Sequence, residues 1–232
     1  LGQTGKQYLH LADYDTALEY LKCSLKIRQE IGDKSGEGTT LNNISQIYDA
    51  RGDYDTALDY LKRSLKIRQE IGDKSGEGTT LNNISQIFKA RGDYDTALDY
   101  LKRSLKIQQE IGDKSGEGTT LNNISQIYDA RGDYDTALEY LKRSLKIRQE
   151  IGDRSGLCAT LFNMGHIHLQ NEDVQNAVMS WVTAYRIAKA INLAQVLQAL
   201  ESLAGQLGLE GGLDGWEQLS RQIEENEGGE ES

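Results

Sequence analysis

The stretch GDKSGEGTTLNNIS fills positions 32–45 and returns unchanged at 72–85 and 112–125. It holds the residues of this chain best placed to do chemistry. Glycines beside a lysine, leading into an apolar helical pattern, could cradle a phosphate. A phosphate loop, however, needs G-x-x-x-x-G-K-[ST] between a strand and a helix. Here Lys34 precedes Ser35 and both following glycines, and the segment before it has a helical pattern. The alternative is a turn in which Gly72 stops one helix, Asp73 or Ser75 caps the next, and Gly76 and Gly78 allow close approach of neighbouring elements. The sequence favours that joint. The paired asparagines that follow, Asn42 and Asn43 with their copies, offer a second chemistry. A carboxamide presents both a donor and an acceptor, as a peptide unit does.

Other reactive side chains do not assemble into a site. His166 and His168 are two apart, so on a helix they face different ways and cannot share a metal as an i,i+4 pair could. His10 and His166 have no carboxylate or cysteine partner at a recognisable spacing, and His168 takes a position that is tyrosine in the other copies. Cys23 and Cys158 show no short-range pairing, which suits free thiols in a reducing compartment, with Cys158 a small packing residue. The acidic residues spread over the copies as helix-surface charge, Asp59 and Arg63 standing at i,i+4 as an expected ion pair. Trp181 and Trp216 fall near the end of the chain and read as core. No catalytic residue, metal site or cofactor is expected.

Those side chains ride on a period of 40 residues. Positions 39–78 and 79–118 differ only at Tyr48/Phe88, Asp49/Lys89 and Arg68/Gln108, and 119–158 departs from 39–78 at four positions. Residues 1–38 form a partial first copy, 159–198 a divergent one, 199–225 a closing helical pair, and 226–232 an acidic tail expected to be disordered. Within a unit, Leu41, Ile44, Ile47 and Tyr48 make the stripe of a first helix. Tyr54, Ala57, Leu58, Leu61, Leu65 and Ile67 make that of a second. Arg51-Gly52-Asp53 separates them, and the second helix should end near Ile71-Gly72. Such a hairpin cannot bury its stripe alone, so neighbours must stack: an all-α, right-handed solenoid. With no proline, 27% charged residues and a net charge of −10, the chain lacks the basic footprint that nucleic acid or an anionic membrane would require. No apolar run is long enough for a membrane helix, and a cytoplasmic location is expected.

The unit resembles the tetratricopeptide repeat. Leu41, Ile44, Ser45 and Tyr48, then Ala57 and Leu61, stand at that family's spacings, as do Leu161, Met164, Gly165, His168, Ala177 and Trp181 in the divergent copy and Gly5, Tyr8, Ala17 and Leu21 in the first. The long unit is most similar to the repeats of the Pins type (LGN in vertebrates) and of many bacterial regulatory proteins. The resemblance implies that first helices line a concave face, and that an asparagine at the Asn43 position grips the backbone of an extended peptide, as in the transferase that adds N-acetylglucosamine to proteins. Carried over, the ladder is Asn43, Asn83, Asn123 and Asn163, with Gln3 in the partial copy. Thr39, Thr79, Thr119 and Gln46, Gln86, Gln126, followed by His166, share that face. Asp49, Lys89 and Asp129 supply its charge variation and are expected at solvated helix ends. The threonines stand where the Pins type commonly carries arginine. The function expected is a protein-interaction scaffold for a protein or extended peptide. A regulatory or sensor array of a larger signalling protein, and a purely structural array, are the alternatives. The uncovered face of the partial first copy leads us to expect end-to-end self-association.

Overall fold

The computed structural model describes residues 3–229, with side chains from Tyr14 to Glu225. The described chain is helical throughout, joined by tight turns. It divides into two compact units, Leu1–Gly116 and Glu117–Ser232. The first unit holds α1 (Gln3–Glu30), the hairpin α2 (Lys34–Ala50) with α3 (Tyr54–Glu70), and α4 (Lys74–Ala90) with α5 (Tyr94–Ile111). The second holds most of α6 (Lys114–Ala130), α7 (Tyr134–Glu150), α8 (Arg154–Gln170) with α9 (Val174–Ala190), and a closing pair, α10 (Ala194–Leu207) and α11 (Leu213–Gly229). The all-α fold of stacked hairpins holds within each unit. Each hairpin begins near Lys34 or its counterpart, five residues before the sequence period as drawn from Thr39.

The turns follow from two residue types. Gly52, Gly72, Gly92, Gly112, Gly132 and Gly152 all have φ between 69° and 77°, which glycine adopts without cost. The next residue is aspartate, whose carboxylate accepts from the backbone N–H three positions on: Asp53 from Thr56, Asp73 from Gly76 at 2.9 Å. Aspartate, not Ser75, is the cap. In the first copy Ala12 occupies the place of Gly52, and there the turn is missing: α1 runs unbroken from Gln3 to Glu30. The side chains of Gln3, Gly5, Tyr8, His10 and Ala12 lie outside those described. At the other end α11 stays helical through Gly229, past the expected boundary at 225, while 230–232 lie outside the described residues.

The predicted stripes are the core. Leu41, Ile44, Ala57 and Leu61 are each at most 1% exposed, as are Leu81, Ile84, Ala97 and Leu101. Burying one such aliphatic side chain contributes roughly 1.5–3 kcal/mol. Within each hairpin a serine reinforces the contact. Ser64 Oγ donates to Gly38 O, Ser104 Oγ to Gly78 O and Ser144 Oγ to Gly118 O, each at 2.8 Å. In the divergent copy the donor has changed sides, and Cys158 Sγ points to Ala184 O.

Adjacent hairpins meet at the glycine-rich loop. A Cβ on Gly76 would fall well inside van der Waals contact with Arg68 Nη1 and Asp73 Oδ2. The vacancy is filled by that guanidinium, which donates to Asp73 Oδ2 at 2.6 Å while Asp73 Oδ1 caps α4. Arg28 with Gly36, and Arg148 with Gly156, repeat the arrangement. Lys34 has no phosphate-like role here. Its Nζ donates to Glu37 at 2.9 Å, and Gln29 Nε2 reaches the other oxygen of the same buried carboxylate. The hydrogen bond from Gln29, then that from Lys34, holds the Glu37 carboxyl below the usual range. Gly76→Ala should therefore lower stability by about 1 kcal/mol in urea denaturation. Loss of a charge-assisted contact outweighs the gain of nearly that size in helix propensity. The penalty should shrink in an Arg68→Gln background, and a neutral or stabilising Gly76→Ala would contradict the joint.

Candidate functional site

The first helices of the hairpins, α2, α4, α6 and α8, carry the amides picked out in the sequence. The core stripe turns Leu41, Ile44 and Ser45 inward, which leaves Thr39, Asn43 and Gln46 on an exposed stripe. Their copies Thr79, Asn83 and Gln86, and in the second unit Thr119, Asn123 and Gln126, follow the same order along α4 and α6, with Asn163 and His166 on α8. Asn83, Gln86, Asn123, Gln126, Asn163 and His166 are half-buried rather than fully exposed.

The structure brings some of these residues together within each unit. In the first, Ser45, Gln46 and Asp49 of α2 face Asn83, Gln86 and Ile87 of α4 across a cleft of about 110 Å³ floored by Leu61. In the second, Ser125, Gln126 and Asp129 of α6 face Asn163, His166 and Ile167 of α8 across one of about 140 Å³. The same chemistry thus recurs two repeat periods on. Its wall is made of side-chain amides and one acid, with imidazole replacing the second amide in the later cleft.

The threonines take a different part. Thr39 Oγ1 donates to Ser35 O at 3.1 Å and lies 3.5 Å from Arg68 Nη2, and Thr119 Oγ1 accepts from Arg148 Nη2 at 3.2 Å. The hydroxyls of Thr39 and Thr119 face the joint, Thr79 Oγ1 donates to Ser75 O at 3.1 Å, and none of the three lines either of these two clefts. Asp49 also departs from expectation. Rather than a solvated helix end, it is half-buried in the first cleft, and burial pushes its carboxyl above the usual range. On its other side it shares a shallow depression with Gln86, Lys89 and Tyr94. His166 is edge-on to Phe162 and Trp181, at 4.7 and 5.4 Å between ring centroids. Burial lowers its pKa, with the Asp129 carboxylate opposing that shift.

The partner of each asparagine decides its role, and only the structure reveals it. Asn42 and Asn82 are buried at 7% exposure. Asn42 Oδ1 accepts from Asn83 Nδ2 at 2.8 Å, Asn122 Oδ1 from Asn163 Nδ2 at 3.2 Å, and Asn82 Nδ2 donates to Ser104 Oγ at 2.8 Å. The first asparagine of each pair braces the stack, and Asn83 and Asn163 spend one N–H on it. Arg63 is likewise redirected. It lies 5.3 Å from the Tyr60 ring centroid instead of pairing with Asp59, and Tyr60 stacks on Tyr48. Among the described residues no group of His, Cys, Asp and Glu side chains could hold a metal, and no helix is long and apolar enough to cross a membrane.

Stacked helical hairpins with a 40-residue period, an aromatic pair in each of the three near-identical hairpins and a repeated amide-lined face define an α-solenoid repeat protein. The tetratricopeptide repeat model matches residues 3–70 and 76–150, and the chain belongs to that family, whose repeats typically mediate protein–protein interaction. A model described as anaphase-promoting complex subunit 5 matches residues 122–208. A search of curated protein sequences finds no match. Among solved structures the chain is similar to BtubC (BKLC) from P. vanneervenii, at 26% identity and a TM-score of 0.68, covering 79% of this chain and 76% of that one. It is similar in fold to aspartyl phosphate phosphatase F from Bacillus subtilis, at 16% identity and a TM-score of 0.76, covering 94% of this chain and 58% of that one. A Rap protein complexed with competence and sporulation factor gives 17% identity, a TM-score of 0.65, and coverage of 94% and 61%.

A buried first asparagine and an exposed second one should separate in mutagenesis. Asn82→Ala removes a buried donor from Ser104 and should cost about 1–2 kcal/mol. Asn43→Ala, at an exposed site, should stay within about 0.5 kcal/mol. Urea melts of the two variants beside the parent chain check this, and equal losses would dissolve the distinction.

Proposed function

We propose that the face formed by the first helices binds an extended segment of a protein partner, with the carboxamides of the clefts taking its backbone. The observation that carries this reading is the recurrence of the same polar cleft, Gln46-Asp49-Asn83-Gln86 in one unit and Gln126-Asp129-Asn163-His166 in the other. An extended chain repeats its N–H and C=O groups regularly, and a row of amides at fixed intervals can hold it without reading its side chains. In this reading Asn43 and Asn83, with Gln46 and Gln86 beside them, serve in the first unit, and Asn123 and Asn163, with Gln126 beside them, in the second. Thr39 and Thr119 support them through the joints, and Thr79 stands at the same place on α4. The Rap protein complexed with competence and sporulation factor shares this fold. Asp49, half-buried and held above its usual range, is relieved by a ligand lysine or arginine, so the preferred segment is neutral to basic. No reaction is assigned to the chain.

A peptide array probed with this protein and with a variant carrying Ala at Asn43, Gln46, Gln86 and Gln126 tests the reading. The variant should keep its circular dichroism melt within a few degrees and lose most of the captured peptides. An unchanged set of captured peptides would place the partner elsewhere.

The exposed face of α1 supports a second interaction. Tyr20 is 75% exposed, Ile27 56% and Ile31 70%, although the equivalent Tyr60 is stacked on Tyr48 and Ile67 is 9% exposed. Tyr8, one period before Tyr48, lies outside the described side chains; we propose that a second copy covers the α1 face, so that self-association is end-to-end. Light scattering should then give a mass that rises with concentration in the parent chain and stays monomeric in Tyr20→Glu/Ile27→Glu. A parent chain that stays monomeric at its highest soluble concentration would overturn it.

A further inference from the structure

The last hairpin contains a space that its predecessors fill with a tyrosine. In the first unit the ring of Tyr54 packs on the cluster of Leu58, Leu61 and Ile87, with the Arg91 guanidinium 5.8 Å from its centroid. In the second unit Tyr134 packs on Leu138, Leu141 and Ile167. One period later the same register reads Val174, Val178, Trp181 and Leu207, and α10 stops at Leu207, short of the position from which Arg91 at the end of α4 overhangs the ring of Tyr54. Valine cannot fill the volume of a phenol, and no arginine at the end of α10 overhangs it. What remains is a half-open pocket of about 300 Å³ lined by Leu169, Val174, Val178, Leu207, Leu209 and Leu219 over a floor of Trp181 and Trp216.

The walls specify the occupant. Both indole N–H groups are already spent, Trp181 Nε1 on Phe162 O at 3.1 Å and Trp216 Nε1 on Leu200 O at 2.8 Å. The pocket therefore offers its guest no hydrogen bond from the floor, only apolar contact and aromatic edges. The two indoles stand edge to face at 6.2 Å between centroids, an arrangement a third ring can extend. Apolar cavities of about half this size stay dry and take up benzene. The rim is apolar as well, with Val174 58% and Leu207 42% exposed.

We propose that this pocket is a docking site for one aromatic side chain, tyrosine or phenylalanine, presented by a protein partner. The site shares no residue with the amide clefts and stands or falls independently of them. Because Trp181 and Trp216 are the only tryptophans in the chain, their two indole N–H resonances report on it directly. The probes are p-cresol, which is the tyrosine side chain as a free molecule, and the capped tripeptide acetyl-Gly-Tyr-Gly-amide. Both should shift the indole resonances saturably, with intermolecular NOEs to methyls of Leu207 and Leu219, and capped Gly-Leu-Gly should bind at least tenfold more weakly. Val174→Tyr, which restores the residue of the earlier hairpins, should raise the melting temperature and abolish the shifts. Absence of saturable shifts in the parent chain overturns the proposal, as do identical shifts in Val174→Tyr. Binding of p-cresol but not of the tripeptide overturns the partner side chain in favour of a small-molecule site. Should Val174→Tyr fail to fold, the NOE pattern of the parent chain decides alone.

Discussion

At the joints beside Gly36, Gly76 and Gly156 a guanidinium occupies the place where a methyl group would otherwise stand, with Gln108 taking that part beside Gly116, and the stacking of the hairpins depends on this filled vacancy. Arg68 reaches across from the end of one hairpin into the vacancy beside Gly76 at the start of the next, and Asp73 holds it there while capping the incoming helix. One carboxylate thus ends the turn, starts a helix and binds the neighbouring repeat. Arg68 is 9% exposed, so its charge is largely withdrawn from water and must stay paired. The apolar stripes supply most of the burial. Within each unit the joint fixes the angle at which they meet, and with it the spacing between neighbouring first helices.

The amide face is a by-product of that spacing. Once successive first helices are fixed side by side, the side chains at the Gln46, Asp49 and Asn83 positions must look at one another, and a cleft appears wherever they are short or polar. The chain occupies part of each cleft with its own bonds: Asn83 turns one N–H toward Asn42 and Asn163 one toward Asn122. An amide restrained in this way is pre-organised, so less side-chain entropy remains to be lost when a ligand arrives.

Much of this was legible without coordinates. Glycine stops, aspartate caps, the two apolar stripes and the tryptophans as core depend on local pattern, and all appear where the sequence put them. What was not legible depends on neighbours. Asn42 and Asn43 are adjacent and chemically identical, and nothing along the chain says that one braces the stack while the other faces out. Arg63 had both Asp59 and Tyr60 within reach, and the ring won because its stacking on Tyr48 holds it still. Asp49 read as surface charge because its burial comes from α4, forty residues away. The unbroken α1 has Ala12 in the place of a left-handed glycine, in a stretch, Leu9 to Ala12, that differs at every position from Asp49 to Gly52. That signal was visible in the sequence and is easily passed over among so many shared positions.

Near-identical repeats carry a hazard of their own during folding. A first helix from one copy fits the second helix of another almost as well as its own, because the contacting residues are the same. A chain emerging from the unfolded state can therefore pair its hairpins one whole period out of step and still bury its leucines. The divergent end counters this error. Trp181 needs the space left by Gly165, whose counterparts Ser45, Ser85 and Ser125 would collide with the indole, and Trp216 donates to Leu200 O and packs edge to face on Trp181. These shapes match at one register, so the closing helices act as the key that aligns the rest of the array.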